Sequence, residues 1–322
     1  MEKNTFVVKR NIYNHDDSGK VFILAIFLPF ILSFFASLIS EAIADGQGID
    51  ITDVTSSIWF HLCFTILNLL TYVGIWLSYS KLKDIRPVVA AKMKIKQKWQ
   101  NYIIPVVLGI VMLFGFQYLV QAFDNLLEVV GYPVDRGFGS VDPENAGEYI
   151  YAIFALAVVP AFIEELLFRG VIFNGLRERF PTGWAAVISA AMFAIAHGNL
   201  QQLIYPLIFG TFLALVVART GSLISSMLVH FVNNLLVVSF RFIENTTGFS
   251  LNLPNVWWFY LIAVAAAGVA FLVCILVDKF CFKHKNHEEV EKSSLKTSNF
   301  LYISLAIGLV MYIINVVSYI LQ

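Results

Sequence analysis

The sequence predicts an all-α polytopic membrane protein, a bundle of about nine transmembrane helices. Of its 322 residues, 58% are hydrophobic and 14% are charged, whereas soluble domains average about 45–50% apolar and about 25% charged residues. The mean hydropathy is +0.75. The chain also contains nine apolar runs, most of them close to the roughly twenty residues that a helix needs to cross the hydrocarbon core of a bilayer.

The nine runs each predict one helix. In chain order they are 21–43, 57–80, 102–123, 149–175, 183–198, 202–218, 222–242, 256–277 and 300–320. The first follows Lys20 and is too long for the apolar core of a signal peptide, so we interpret it as a retained helix. Only the polar stretch 198–202 separates the fifth and sixth runs. If these two form one element, the bundle has eight helices.

The positions of the basic residues predict the orientation. With a cytoplasmic N-terminus, the inner connections carry every Lys and Arg except Arg136, Arg169 and Arg241, as the positive-inside rule requires. The most basic connection, 81–101, is expected to contact anionic lipids. The chain shows no organelle-targeting segment, so we expect a multi-pass protein of the plasma membrane.

Charge and cysteine content exclude two classes of protein. The 22 basic side chains are balanced by 22 acidic ones, whereas a nucleic-acid binder needs a basic excess to neutralise phosphates. Nucleic acid is therefore not an expected partner. A secreted disulfide scaffold needs paired cysteines in a short chain, and this chain has three scattered ones.

Three charged residues fall inside the fourth run. A charge at bilayer depth costs at least ~2.5–3.5 kcal/mol, so such residues are expected to serve a function. Glu165 and Arg169 are four residues apart on one helix face and can neutralise each other. Glu164 points about 100° away and has no partner on its own helix. We therefore interpret Glu164 as the candidate functional carboxylate.

Two further runs carry histidines at a similar predicted depth. Measured along each helix from the inner side, Glu164 lies at ~20 Å, His197 at ~24 Å and His230 at ~16 Å. Asn234 shares a face with His230, four residues away. Unpaired polar groups in lipid are expected to converge on one cavity. We therefore predict one site from these residues, and we interpret His61 in the second run as a packing residue.

This set of residues fits hydrolysis of an amide without a nucleophilic Ser or Cys. A carboxylate beside an imidazole can hold a water molecule and take its proton. A second imidazole with a carboxamide can donate hydrogen bonds to a developing oxyanion. Glu164, His197 and His230 could also hold a divalent metal such as zinc. The chain contains no H-E-x-x-H motif, so its spacing leaves open whether the site uses zinc or no metal.

Three motifs resemble the core motifs of the CPBP (Abi) intramembrane proteases. They are Glu164-Glu165-x-x-x-Arg169, Phe193-x-x-x-His197 and His230-x-x-x-Asn234, in this order on separate predicted helices. That family contains the type II CAAX prenyl proteases and proteins of bacteriocin processing or immunity. The resemblance covers roughly residues 150–240. We accordingly divide the chain into an N-terminal region 1–148 with three helices, a protease core 149–245 and a C-terminal region 246–322 with two helices.

The resemblance implies a role for each motif residue. Glu164 is the water-activating base, His197 helps to hold the water, and His230 with Asn234 forms the oxyanion site. Glu165, Arg169 and Phe193 support these groups. Members of the family are described both as metalloproteases and as metal-free glutamate proteases.

The leading hypothesis is an intramembrane endopeptidase that cleaves a membrane-embedded or lipidated peptide or protein. The first alternative is a non-catalytic immunity or regulatory partner of a signalling protein or bacteriocin. The second is a proton-coupled carrier that uses Glu164 and the histidines as a relay. Carriers often contain internal repeats, and the two halves of the chain show no convincing one.

Overall fold

The computed structural model describes most of the chain, and its regular structure is helical. The described residues are 12–134, 141–250, 256–281 and 300–320. Within these ranges there is no strand. The prediction of an all-α polytopic membrane protein is confirmed. Arg136 and most of the predicted inner connection 278–299 lie outside the described residues.

The described helices follow the order of the predicted runs, with two short helices between them. They are α1 His15–Gln47, α2 Ile51–Thr55, α3 Ile58–Leu82, α4 Pro87–Ala90, α5 Gln100–Val129, α6 Ala146–Leu176, α7 Thr182–Ala196, α8 Ile204–Thr220, α9 Leu223–Thr247, α10 Trp257–Cys281 and α11 Phe300–Ile320.

Each of the nine apolar runs coincides with a helix, but the helices differ in length. Seven of those described are long and apolar enough to cross a membrane, namely α1, α3, α5, α6, α9, α10 and α11. Helices α7 and α8 have 15 and 17 residues and therefore extend about 23 and about 26 Å. They are two separate helices that pack extensively against each other, so the fifth and sixth runs do not form a single element.

The second half of α6 is the most buried part of the bundle. Every residue of Glu165–Phe173 is buried, and this stretch contacts α1, α3, α7, α8 and α9. Leu166, Leu167 and Ile172 expose no surface and belong to the main apolar cluster of the described residues. The charged residues of this half-helix are therefore enclosed by protein rather than exposed to lipid.

Helix α6 departs from α-helical geometry in two places. Segments Ile153–Val158 and Glu165–Phe173 are π-helical, with backbone bonds from residue i to residue i−5. Between them lies Pro160, which has no N–H and cannot donate to the carbonyl of Leu156, four residues earlier. Because π-helical turns are frequent at functional sites, this irregularity agrees with the placement of the predicted carboxylates on α6.

A polar cluster fastens the start of α1 to α3 and α6. Asn14 caps α1 in a reciprocal capping box with Asp17. The buried Asp17 carboxylate also accepts a hydrogen bond from Tyr79 at 2.7 Å and pairs with Lys83 at 2.7 Å. The Ser18 hydroxyl donates to the carbonyl of Ile172 at 2.9 Å. These bonds fix α1 and α3 beside the buried half of α6.

The last two helices pack closely against earlier ones. A Cβ atom on Gly115 of α5 would lie 2.3 Å from Ala270 of α10, and one on Gly308 of α11 would lie 2.6 Å from Phe22 of α1. A Cβ at position 115 would overlap the Cβ of Ala270, so that contact requires glycine, whereas one at position 308 would displace the ring of Phe22. Helices α10 and α11 are thus closely packed against α5 and α1.

The basic connection between α3 and α5 is held against the start of α9. The main-chain N–H of Leu223 donates to the carbonyl of Lys92 at 3.0 Å, and the Ser222 hydroxyl donates to that of Lys94 at 2.7 Å. Ala91 is fully buried and packs on Gly170 of α6. The connection therefore covers one end of the buried half of α6.

Candidate active site

A buried ion pair with a histidine forms the centre of the site. Glu165 and Arg169 are joined at 2.8 Å, and neither side chain is exposed. The same Glu165 oxygen, Oε1, accepts a hydrogen bond from Nδ1 of His230 on α9 at 3.0 Å. Because an ionised carboxylate only accepts hydrogen bonds, this contact places a proton on Nδ1 and leaves Nε2 facing away from Glu165.

Glu164 lies on the other side of the same imidazole. Its Oε2 is 3.8 Å from Nε2 of His230, and its side chain is 23% exposed. His230 therefore stands between a fully buried carboxylate and a partly accessible one. The buried Glu165 is neutralised by Arg169, so Glu164 is the carboxylate of this cluster that is free to react with a ligand.

His197 ends α7 and has a defined ring orientation. Its Nδ1 is 2.8 Å from the carbonyl oxygen of Phe193, one turn earlier. A carbonyl can only accept, so this bond also requires the proton on Nδ1. The neutral ring then presents Nε2 as an acceptor, which is the form in which an imidazole can bind a proton or a water hydrogen.

Phe193 separates the two imidazoles. Its ring centre lies 4.6 Å from that of His197 and 6.2 Å from that of His230, in edge-to-face contacts. The guanidinium of Arg169 stacks on the same ring at 4.4 Å, a favourable cation–π contact. Phe193 thus brings the three motifs of α6, α7 and α9 into one packed unit.

The side chain of Asn234 is hydrogen-bonded to α6. Its amide N–H donates to the carbonyl of Leu156 at 3.0 Å. In a regular α-helix this carbonyl would accept from the N–H of residue 160, which is a proline and has none. Its side-chain oxygen accepts from Asn233 at 3.2 Å, and Asn233 in turn accepts from the Tyr205 hydroxyl at 2.5 Å. This chain of hydrogen bonds links α8 through α9 to the π-helical segment Ile153–Val158 of α6.

The segment that carries these groups matches a known family. Residues 146–236 match the Rce1-like family, described as type II CAAX prenyl endopeptidase Rce1-like. The match covers less than a third of the chain. The resemblance that the three motifs indicated is thereby confirmed over this segment.

A second comparison relates the chain to a bacterial protein. The chain is 31% identical over 86 residues to a protein of Bacillus subtilis (strain 168) named "Putative membrane peptidase YdiL". The match spans 27% of this chain and 35% of the relative, so the chain aligns with about a third of that protein's length. No solved structure matches. The apolar helices and the family match together identify an integral membrane protein, and the matches support a peptidase at the level of the family.

The structure places most of the predicted site residues near one another. Glu165 contacts Arg169 and His230, Glu164 lies 3.8 Å from His230, and His197 joins them through Phe193. One contact was not predicted from the sequence. Asn234, which shares a helix face with His230, donates to the main-chain carbonyl of Leu156.

Sequence reasoning missed several residues that hold the site. Pro160, Asn233 and Tyr205 were not predicted, although a proline within an apolar run signals a freed carbonyl. Tyr132 and Tyr312 were missed as well. Their hydroxyls bond Leu200 N–H and the carbonyl of Asn199, each at 3.0 Å, and so hold the turn after His197.

The side chains as placed do not form a three-ligand zinc site. Among the described residues no three His, Cys, Asp or Glu side chains are grouped so that they could hold a metal ion. Glu164 and His230 are 3.8 Å apart, wider than the ~3.3 Å between two ligand atoms on a tetrahedral zinc with bonds of about 2.0–2.1 Å. We therefore derive no chemical step through a metal.

Proposed function

We propose that this protein is an intramembrane endopeptidase that hydrolyses a peptide bond in a membrane-embedded or lipidated substrate. The proposal rests chiefly on one observation: Glu164 is partly exposed beside His230, which Glu165 holds from the buried side. The Rce1-like match of residues 146–236 and the name of the bacterial relative point to the same class of reaction.

In this proposal Glu164 is the general base. It takes a proton from a water molecule while the water oxygen attacks the carbonyl carbon of the scissile bond. The carbonyl oxygen becomes an oxyanion, and the protonated Glu164 then gives its proton to the leaving amide nitrogen as the C–N bond breaks. One water is consumed, and one carboxyl and one amino terminus are formed.

The other residues have supporting roles. His197 offers Nε2 as an acceptor that helps to hold the attacking water. His230, when protonated, carries an Nε2–H that can stabilise the oxyanion. Glu165 and Arg169 fix the ring of His230, and Phe193 sets the spacing of the two imidazoles. Asn234 acts by bonding the free carbonyl of Leu156 in α6 or, with its second amide N–H, by donating to the oxyanion.

Comparative proteomics of membrane peptides tests the proposal. Cells that produce the wild type and cells that produce Glu164→Gln are compared, with Glu41→Gln as a control, because Glu41 is an exposed glutamate at the far end of α1. We expect a set of peptides that the wild type and Glu41→Gln generate and Glu164→Gln does not, at equal protein levels. An unchanged peptide set with Glu164→Gln would refute it.

The type of protease is tested separately. We propose the glutamate type, in which no metal takes part. The purified full-length protein should retain cleavage of a peptide identified above after dialysis against a chelator, and its zinc content should be well below one ion per chain. Loss of cleavage on chelation, restored by zinc, would show a metalloprotease instead.

We also propose a plasma-membrane location with the N-terminus in the cytoplasm. Lys94, Lys96 and Lys98 are exposed on the connection between α3 and α5, where they can meet the anionic inner leaflet. Protease protection of tags at the two termini tests the orientation. A tag at the N-terminus that is accessible only from outside the cell would overturn it.

A further inference from the structure

A cavity lies at the N-terminal end of α3, beside the start of α6. It has a volume of about 450 Å³, enough for several water molecules at about 30 Å³ each. Its polar lining includes Ser56 and His61 from the α3 side and Glu148 and Tyr151 from α6. We call it the α3–α6 cavity. Nothing in the proposed chemistry uses it.

One face of α3 leads away from this cavity. His61, Thr65, Asn68 and Tyr72 follow one another at spacings of four, three and four residues, which places them on one side of a helix. All four are half-buried. The opposite side of the helix carries exposed apolar residues such as Leu67 and Leu70. The polar side of α3 is thus turned toward the protein and the apolar side toward lipid.

Contacts place this polar face against α6. The hydroxyls of Thr65 and Tyr151 are 3.2 Å apart, and α3 also contacts the later part of α6 on both sides of Glu164. Tyr72, at the far end of this face, donates its hydroxyl hydrogen to the carbonyl of Ala25 on α1 at 3.3 Å. At 1.5 Å per residue, His61 and Tyr72 are about 16 Å apart along the helix. The polar face therefore extends from the cavity to the neighbourhood of Glu164.

The side chains on this face have hydrogen-bonding capacity left for a ligand. Asn68 uses one amide N–H on the carbonyl of Phe64, which leaves its oxygen and a second N–H. Nε2 of His61 is buried and has no hydrogen-bond partner among the described residues. A series of such groups in an otherwise apolar environment suits water, because an ordered water needs two to four polar partners.

We propose that the polar face of α3 from His61 to Tyr72 is a path by which water enters from the α3–α6 cavity and reaches Glu164. The inference deepens the proposed hydrolysis, since it supplies the second substrate of that reaction. It also assigns a role to His61 and Asn68, which lie outside the three sequence motifs. Hydrolysis at bilayer depth needs such a supply, because the hydrocarbon core contains almost no water.

Cysteine labelling tests the path without relying on proteolysis. In full-length protein with Cys63, Cys274 and Cys281 replaced by serine, Asn68→Cys is compared with Leu70→Cys, which differs in depth by about 3 Å but faces lipid. The probe is a small, charged, membrane-impermeant methanethiosulfonate. Because only a hydrated thiolate reacts readily, we expect Asn68→Cys to react at least about tenfold faster than Leu70→Cys. Thr65→Cys with Ile66→Cys is a second pair, should Asn68→Cys not accumulate.

Two further measurements test the side of the membrane from which water enters and the importance of this water for cleavage. Labelling at position 68 should require the reagent on the side where α3 begins. Equal rates within both pairs, or access only from the opposite side, would overturn the path. Asn68→Leu should lower the kcat of the cleavage defined above without changing KM, with Leu70→Ala as the control. If Glu164→Gln leaves proteolysis unchanged while Asn68→Cys is still labelled selectively, the proposed function fails and the water path stands.

Discussion

The side-chain amide of Asn234 replaces a backbone hydrogen bond that α6 lacks. It donates to the carbonyl of Leu156 at 3.0 Å, and Pro160 is the residue whose N–H would serve that carbonyl in a regular α-helix. Asn234, which belongs to one of the three sequence motifs, therefore also has a structural role: it stabilises the irregular part of α6 that precedes Glu164.

A double-mutant cycle tests this task. We expect Asn234→Ala to lower the free energy of unfolding by about 1–2 kcal/mol, because it removes the donor of a partly buried carbonyl. In a Pro160→Ala background the loss should be smaller by about 1 kcal/mol, since an alanine N–H can serve Leu156. Unfolding in detergent is the measurement. Additive effects of the two substitutions would show that Asn234 does not act on this carbonyl.

The two adjacent glutamates should differ sharply in their effect on stability. Glu165→Gln leaves Arg169 buried without a counter-charge, which costs about 3–5 kcal/mol. Glu164→Gln changes a partly exposed group and should cost less than about 1 kcal/mol. Thermal unfolding of the purified variants checks the difference. The pair Glu165→Gln with Arg169→Met should recover part of the loss, and no recovery would mean that Glu165 stabilises the fold in another way.

The last helix should control the order of the turn after His197. Tyr312→Phe removes the hydroxyl that bonds the carbonyl of Asn199, a loss of about 1 kcal/mol. We expect faster amide hydrogen exchange in residues 198–203. Tyr302→Phe is the control, because Tyr302 lies on the same helix with 51% of its surface exposed. Equal exchange in the two variants would contradict a role for Tyr312.

A pH dependence is expected from the contact between Asp142 and α9. Hydrogen bonds from Arg241, at 2.6 and 2.8 Å, hold the pKa of the Asp142 carboxyl below its ordinary value. The stabilisation is therefore complete above the unfolded-state pKa of about 3.9 and is lost as the pH falls through the lower folded-state value.

Asp142→Asn makes this dependence measurable. The pair is partly exposed, so the variant should lose only about 0.5–1 kcal/mol at neutral pH. The difference in unfolding temperature between wild type and variant should shrink below about pH 4. Glu128→Gln provides a control with the same chemical change on α5. A difference that stays constant from pH 7 to pH 3 would contradict the assignment.

The sequence predicted contacts within a helix better than contacts between helices. Glu165 and Arg169 pair as their spacing indicates, because the positions of residues on one helix follow from its geometry alone. Depth along the helices grouped Glu164, His197 and His230 into one predicted site, but depth does not determine which sides of the helices face each other. The insertion of His230 between the two carboxylates follows from the packing of α9 on α6, and that packing cannot be read from the sequence of either helix.

The π-helical turns of α6 could not be predicted from the sequence either. Hydrophobic periodicity assumes 3.6 residues per turn, and a nine-residue π-helical segment changes the direction in which each later side chain points. Pro160 gave a local signal of a freed carbonyl, but no pattern showed that Asn234, on another helix, would bind it. The division into three regions stays a prediction.

The shortness of α7 and α8 has a consequence for the surrounding lipid. At about 23 and about 26 Å, both helices fall short of a hydrocarbon layer of about 30 Å, and Trp184, Val187 and Leu215 expose part of their surfaces to it. A bilayer accommodates such a hydrophobic mismatch by local thinning, by snorkelling of flanking side chains or by oligomerisation of the protein, at a cost of fractions of a kcal/mol per Å. The side of the bundle that α7 and α8 form is therefore where the surrounding lipid has to adapt most to the protein.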